Sequence, residues 1–133
     1  MGRARACTSP GIVLDAGALI ALERGDKRLI ALFQRALAQR RPLRVPAGVV
    51  GQAWRDGRGQ VTLARFLRSD EVTIAPLDEQ LARACGELCG AAGTSDVIDA
   101  SVVLLARAGR DLIVTSDPTD LRRLDPAAQL IAI

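Results

Sequence analysis

The chain has 133 residues, of which 49% are hydrophobic and 25% are charged, a composition typical of one globular domain. It contains no histidine, which excludes Ser-His-Asp and Cys-His catalysis, histidine-assisted RNA cleavage and histidine-ligated metals. The net charge of +3 permits nucleic-acid binding without requiring it.

Apolar β-branched runs alternate with segments of helical spacing along the chain. The predicted elements, in chain order, are a strand at 11–15, helices at 16–26 and 27–41, a strand at 43–46, helices at 47–57 and 61–70, a strand at 72–77, helices at 79–93 and 94–109, a strand at 111–117, a helix at 118–124 and a strand at 129–133. Asp78 is a predicted N-cap, and Pro118 fits the first position of its helix.

One predicted helix, 27–41, shows a clear apolar stripe. Its spacing places Leu29, Ile30, Phe33 and Leu37 on one side, where we expect them to face the core. Pro42 ends this helix, because proline cannot continue it.

Alternation of strands and helices predicts an α/β three-layer domain, with a mostly parallel sheet of about four to five strands flanked by helices. We assign residues 1–10 to an N-terminal extension and residues 11–133 to this single domain. No apolar run reaches the ~18–20 residues that span a bilayer, so we expect no membrane association. The basic N-terminus lacks an apolar segment before Asp15, so we expect no signal peptide and a cytoplasmic protein.

The three cysteines, Cys7, Cys85 and Cys89, do not suggest a zinc site. Such a site usually needs four cysteine or histidine ligands. We therefore expect free thiols in a reducing compartment.

Acidic residues gather where the predicted strands end. Asp15 closes the first strand and Asp117 the fourth, while Asp96 and Asp99 open the helix before that fourth strand. Each acid taken alone has a simpler explanation as a helix cap or a turn residue. Ligands of open parallel sheets, however, bind at the carboxyl ends of the strands, where these acids converge. Asp120 is an additional nearby acid.

Carboxylates brought together in this way repel one another and raise each other's pKa. A hard divalent cation relieves that repulsion, and Mg²⁺ or Mn²⁺ suits a set of oxygen ligands without histidine. Such a cation activates water for attack on a phosphodiester. We therefore regard the acids as a candidate catalytic metal site, with Ser116 as a supporting polar residue.

Four segments in order, "IVLDAGALIAL", "VPAGVVGQAWR", "DVIDASVVLLAR" and "LIVTSDPTDL", resemble the PIN-domain ribonucleases of the VapC toxin type. The resemblance runs from Gly11 to the C-terminus, and its strength lies in the ordered set. It implies a PIN fold, an endoribonuclease dependent on Mg²⁺ or Mn²⁺, a homodimer, and neutralisation by a small VapB-like antitoxin.

The resemblance also assigns residues. Asp15, Asp99 and Asp117 match the metal-binding aspartates of the family, and Asp96 is an extra acid. Gln52 stands where the family usually has glutamate, and an amide is a poorer metal ligand that cannot act as a base. Either Asp96 supplies the missing carboxylate, or the site is weakened and the protein acts through RNA or protein binding.

Arginines after Gln52 are candidates for an RNA path, Arg55 and Arg58 in particular, although a solvated arginine-rich surface is the simpler interpretation. Two other enzyme classes fit poorly. A receiver-type phosphoacceptor needs a lysine at a late strand, whereas the only lysine is Lys27. A haloacid-dehalogenase-like phosphatase needs a second acid where this chain has Gly17.

Overall fold

The computed structural model describes residues 10–133. Of the predicted N-terminal extension, residues 1–9 and therefore Cys7 lie outside the described residues. The elements are β1 (Ile12–Leu14), α1 (Ala16–Glu23), α2 (Lys27–Ala38), β2 (Leu43–Pro46), α3 (Ala47–Ala53), α4 (Val61–Arg68), β3 (Val72–Ala75), α5 (Glu79–Ala92), α6 (Val97–Gly109), β4 (Leu112–Thr115), α7 (Pro118–Leu124) and β5 (Leu130–Ala132). Every predicted element is present, with ends that differ by a few residues.

The strands form one five-stranded parallel sheet in the order β3-β2-β1-β4-β5. Parallel neighbours require crossover connections, and such connections are right-handed in almost all proteins. The chain adds β2 and β3 on one side of β1 and then crosses to add β4 and β5 on the other side. Right-handed crossovers in these two directions place α1–α4 on one face of the sheet and α5–α7 on the other. The predicted three-layer α/β architecture is therefore confirmed.

The centre of the sheet is fully enclosed, because both of its faces are covered by helices. Ile12, Val13 and Leu14 of β1 are at most 1% exposed, which explains why this strand is a continuous apolar run rather than an alternating one. Helix α6 packs on β1, β2 and β4, and α1 packs on β1 and β4. The nearly all-apolar sequence of α6 thus reflects its central position.

The predicted apolar stripe of α2 is partly wrong. Leu29 and Phe33 are buried as expected, but Leu37 is 42% exposed and Ala36 takes its place in the core. At about 100° per residue, Leu29, Phe33 and Ala36 span roughly 60° of the helix, whereas Leu37 lies well to one side of their centre. A small residue within this arc is buried in preference to a larger one outside it.

Two further expectations can be compared with the described residues. Cys85 and Cys89 are free, as predicted, and the structure shows that both are buried on α5. No single helix within residues 10–133 is long and apolar enough to cross a membrane; α5 and α6 pass that test only as a pair, bent by 106°.

The amino ends of the central strands are joined by an ion pair. Asp111, just before β4, accepts a hydrogen bond from the Gly11 backbone N–H at 2.8 Å and pairs with the Arg44 guanidinium on β2. The Asp111 side chain is 1% exposed and that of Arg44 is 29% exposed. Three segments that are far apart in sequence are thereby held at the correct register.

Candidate active site

The order of the strands reverses between β1 and β4, since the chain extends the sheet to β2 and β3 on one side of β1 and to β4 and β5 on the other. The crevice beyond the carboxyl ends at such a switch point is where ligands bind in open α/β sheets. Asp15 directly follows β1, and Asp117 follows β4 by two residues. The fold therefore brings two predicted site residues to its expected ligand-binding edge.

Asp15 is held rigidly at this edge. It is 6% exposed and is the N-cap of α1, where its Oδ1 accepts a hydrogen bond from the Ala18 backbone N–H at 2.9 Å. Its Oδ2 accepts a hydrogen bond from the Thr115 hydroxyl on β4. The capping role considered from the sequence is confirmed, and it fixes the direction in which the carboxylate points.

Thr115 connects the two acids. Its side chain is buried, and its Oγ1 both donates to Asp15 and accepts a hydrogen bond from the Asp117 backbone N–H at 2.8 Å. The sequence did not single out this residue, which lies inside the predicted strand 111–117. Its position immediately before the Ser116–Asp117 pair was the only available signal.

Ser116 is exposed and lies against the start of α1. A Cβ atom added to Gly17 would come within 1.8 Å of the Ser116 Oγ and 2.6 Å of its Cβ. Glycine is therefore required at position 17 for α1 to begin this close to β4. The exposed hydroxyl of Ser116 lies in a shallow depression beside Gly17 rather than with Asp96 and Asp99.

Asp96 and Asp99 open helix α6. The Asp96 side chain accepts a hydrogen bond from the Asp99 backbone N–H at 2.9 Å, so Asp96 is an N-cap. Asp99 lies one turn into the helix and is partly buried. A cap uses one carboxylate oxygen, which leaves the second oxygen of Asp96 available to another ligand.

The pKa shifts show that the charges of these acids act on one another. Burial, followed by the charges of Asp96, Asp15 and Asp120, raises the pKa of Asp99 to about 7. Burial also raises the pKa of Asp15, and the charge of Asp117 raises it further. Hydrogen bonds from Thr115, Ala18 and Ser116 lower this pKa and offset part of the rise.

A hydrogen bond with Asp117 and that residue's charge raise the pKa of Asp120, while the positive charge of Arg123 lowers it. Within residues 10–133, no basic residue is among the main causes of the pKa shift of Asp15 or of Asp99. Among the described residues, the five acids therefore act on one another with little compensation from positive charge.

A cleft of about 470 Å³ opens at the start of α6 and the side of α7. Asp96, Asp99 and Asp120 line it, together with Arg123. Asp15 and Asp117 lie outside its lining, although their charges reach the acids in it. The site thus has a buried part at Asp15 and an open part at Asp99.

The chemistry of these donors suits a hard divalent cation. Carboxylates are the ligands that Mg²⁺ and Mn²⁺ prefer. Burial raises the pKa of Asp99 most, and a cation would relieve the repulsion by neighbouring acids that raises it further. Within residues 10–133, however, no three acidic or cysteine side chains are arranged so that they could hold a metal ion. The carboxylate chemistry therefore suits the ion, but the described side chains do not form a ligand set for it.

Gln52 is not among the residues that line the cleft with Asp96, Asp99 and Asp120. It is exposed on α3, and no hydrogen bond of its amide occurs within the part of the chain that the structure describes. Helix α3 does pack against α6: a Cβ at Gly48 would lie 2.3 Å from the Ile98 side chain. The proposed supporting role of Gln52 therefore stays a prediction, as does compensation by Asp96.

The arginines predicted to bind RNA lie elsewhere. The Arg55 guanidinium donates to the backbone carbonyls of Gly51 at 3.2 Å and Trp54 at 2.7 Å, while Arg58 lies in the turn after α3. Neither residue lines the cleft. Arg123, which the sequence did not single out, is the basic residue that does.

No protein-family model and no curated protein sequence matches the chain. Solved structures do match. VapBC2 from Rickettsia felis, bound to a DNA fragment from its promoter, contains a chain with 16% identity and a TM-score of 0.67, and the match covers 92% of this chain and 98% of that one. FitAcB from Neisseria gonorrhoeae matches at 16% identity and a TM-score of 0.62, covering 90% and 96%.

A third match is VapC20 from Mycobacterium tuberculosis, a toxin that cleaves the sarcin-ricin loop. Its identity is 21% and its TM-score is 0.59, covering 77% of this chain and 87% of that one. The chain therefore has the same fold as these proteins, a PIN-like α/β fold. This PIN fold was expected from the sequence segments, and at these identities the likeness establishes the fold.

Proposed function

We propose that this PIN-domain protein is the toxin of a type II toxin–antitoxin system and an endoribonuclease dependent on Mg²⁺ or Mn²⁺. One observation supports the proposal most strongly. Asp15 and Asp99 belong to different elements, burial raises the pKa of both, and the charge of Asp15 adds to the rise at Asp99. The names of the structural neighbours support it, since one is a sarcin-ricin loop cleaving toxin.

A bound Mg²⁺ or Mn²⁺ would supply Lewis acidity to a phosphoryl oxygen and to water. Asp15, Asp99 and Asp117 are the residues that we propose to hold it, and Asp96 would supply the carboxylate that Gln52 lacks. Thr115 keeps Asp15 and Asp117 at a fixed separation through its hydroxyl. Repulsion among these acids in the metal-free protein favours binding of a cation over other ligands.

The partners follow from the same proposal. We infer that a VapB-like antitoxin neutralises the toxin, that the toxin is a homodimer, and that it acts on RNA in the cytoplasm. Two of the structural neighbours, VapBC2 and FitAcB, are named as two-component structures, which supports an antitoxin partner.

A second candidate is a PIN module that cleaves weakly and acts through RNA or protein binding. Two observations favour it: Gln52 replaces the usual glutamate, and among the described residues no three acidic side chains are arranged to hold a metal. The two candidates differ in whether the acids are needed for activity.

Incubation of antitoxin-free protein with total cellular RNA and Mg²⁺ or Mn²⁺, with mapping of the cleavage sites, tests the proposal. We expect discrete cuts that EDTA abolishes and that Asp15→Asn reduces at least about 100-fold, as loss of a group essential to the reaction does. Asp78→Asn is the matched control, because Asp78 also caps a helix, with its side chain accepting from the Leu81 N–H at 2.8 Å.

Wild-type protein that cuts no RNA with either metal would reject the nuclease function. The weakened module would then be the better candidate. Equal cleavage by Asp15→Asn and wild type would reject the assignment of the site, even if RNA were cut.

A further inference from the structure

The cleft at the start of α6 presents an electrostatic problem for an RNA substrate. Three of its lining residues, Asp96, Asp99 and Asp120, are acids, and RNA is a polyanion whose phosphates these charges repel. A bound cation offsets part of that repulsion at the reacting phosphate. The neighbouring phosphates need a positive group supplied by the protein.

Arg123 is the basic side chain at this cleft. It is exposed in the last turn of α7, and within residues 10–133 it forms no ion pair, although Asp120 is three residues before it. Arg44, Arg83 and Arg107, by contrast, are paired with acids. The Arg123 guanidinium is therefore available to a ligand.

The backbone that presents Arg123 is fixed by its neighbours. Leu121 is 1% exposed and Leu124 is 6% exposed, so both sides of Arg123 are anchored in the core. A positively charged group on a rigid element positions a ligand more accurately than one on a loop. Arginine also matches phosphate well, because its planar guanidinium donates two parallel hydrogen bonds.

We propose that Arg123 binds a phosphate of the RNA backbone at the mouth of the acid cleft and thereby positions the adjacent phosphodiester at Asp99. The inference rests on the proposed ribonuclease function and adds a substrate-binding residue to it. Arg123 is a positioning residue, so its loss affects substrate affinity more than the chemical step.

Arg122 provides a matched control. It lies on the same helix and is exposed, but it is not part of the cleft lining. Consecutive helical residues point about 100° apart, so Arg122 and Arg123 present their charges in different directions. Replacing either residue removes one positive charge from the same helix, and only Arg123 is at the cleft.

The test uses a fluorescein-labelled single-stranded RNA that contains a mapped cleavage site, cut with Mn²⁺ by the wild type, Arg123→Met, Arg123→Lys and Arg122→Met. We expect Arg123→Met to raise KM about tenfold with kcat changed less than about twofold, the loss typical of one charge-assisted hydrogen-bonded contact. Arg123→Lys should recover part of the affinity, and Arg122→Met should behave like the wild type.

RNA binding at several salt concentrations gives a second readout, measured in an Asp15→Asn background so that the RNA stays intact. Loss of one phosphate contact reduces the slope of log K against log salt by about 0.7 for single strands. We expect that reduction for Arg123→Met and not for Arg122→Met. A purely structural role would lower the melting temperature and leave the slope unchanged.

The outcomes separate the two proposals. Cleavage by the wild type with equal KM and salt slope for Arg123→Met and Arg122→Met overturns the role of Arg123 and leaves the nuclease intact. A fall in kcat at unchanged KM also overturns it. An effect of Arg123→Met confined to the affinity for a protein partner assigns the residue to that partner instead. Wild-type protein that cuts no RNA overturns both proposals.

Discussion

Two buried carboxylates lie at opposite ends of the same parallel sheet, and they differ in what surrounds them. Asp111, 5% exposed at the amino ends, is matched by the Arg44 guanidinium and a backbone N–H. Asp15, 6% exposed at the carboxyl ends, has only a hydroxyl and peptide N–H groups, and its charged neighbour Asp117 is another acid. Two acids of similar burial therefore differ in the charge of their partners, and for this reason we propose a structural role for Asp111 and a functional role for Asp15.

The first way to test this contrast is to remove the structural acid. Asp111→Ala should lower the unfolding free energy by about 3 kcal/mol, because it leaves the Arg44 charge partly buried and the Gly11 N–H without its acceptor. Urea denaturation measures this loss. RNA cleavage per folded molecule should be unchanged.

Glu79→Ala serves as the control for that experiment. It breaks a salt bridge with Arg83 in which both side chains are 77% exposed, and such pairs contribute less than about 1 kcal/mol. If Asp111→Ala were as harmless as Glu79→Ala, the ion pair at the amino ends would not be structural.

The second test removes a hydrogen bond that holds the carboxylate of Asp15, the proposed functional acid. Thr115→Val keeps the shape of the side chain but removes the hydroxyl that serves both Asp15 and Asp117. We expect a loss of about 1–2 kcal/mol in unfolding free energy, since a buried carboxylate oxygen loses its donor. Cleavage should fall as well, and Thr115→Ser, which keeps the hydroxyl, should restore cleavage. Full activity in Thr115→Val would show that the hydroxyl does not position the acids.

The third test uses pH. The pKa of Asp99 is about 7 in the folded, metal-free protein and near 3.8 when unfolded, so folding favours the protonated form. Its contribution to stability is fully present at low pH and is lost as pH rises through about 7. With allowance for the partial exposure of Asp99, we expect the unfolding free energy to be about 1 kcal/mol lower at pH 8 than at pH 6. The melting temperature should be a few degrees lower at pH 8. Asp99→Asn should flatten this dependence, whereas an unchanged profile would contradict it.

The smallest expected effect is on the stability of Asp15→Asn. Because burial raises the pKa of Asp15, replacing the carboxylate by a neutral amide removes a desolvation cost. We expect thermal unfolding at pH 7 to be unchanged or slightly higher in temperature, opposite in sign to Asp111→Ala. A loss comparable to that of Asp111→Ala would make Asp15 a structural residue.

The acids at the strand ends were predictable because local sequence decides them. An apolar run followed by aspartate places that residue at the carboxyl end of a buried strand, and the helix start at Asp96 is equally local. Thr115 was not predictable, since its contact with Asp15 depends on the register between β1 and β4. Arg123 was missed for a similar reason: the packing of α7 beside α6 is a tertiary property.

Leu37 illustrates the remaining limit of the sequence. The period of α2 was correct, but a stripe of hydrophobic residues gives only the approximate direction of the buried face. The exact centre of that face depends on its partners, including Phe66 of α4, whose ring stacks on Phe33 at 5.1 Å. Alanine at position 36 is consequently buried where leucine at position 37 is not.

The central claim is that the acids at the carboxyl ends of the sheet bind a divalent cation. Mn²⁺ binding to the metal-free protein tests this claim most directly. Titration calorimetry at pH 8 should show that the wild type binds Mn²⁺. At pH 6 the binding should be weaker, because Asp99 is then protonated. At pH 8, Asp99→Asn should bind Mn²⁺ at least about tenfold more weakly than the wild type. Asp78→Asn should bind like the wild type. Equal Mn²⁺ affinity in the wild type and Asp99→Asn, or no binding by the wild type, would contradict the account.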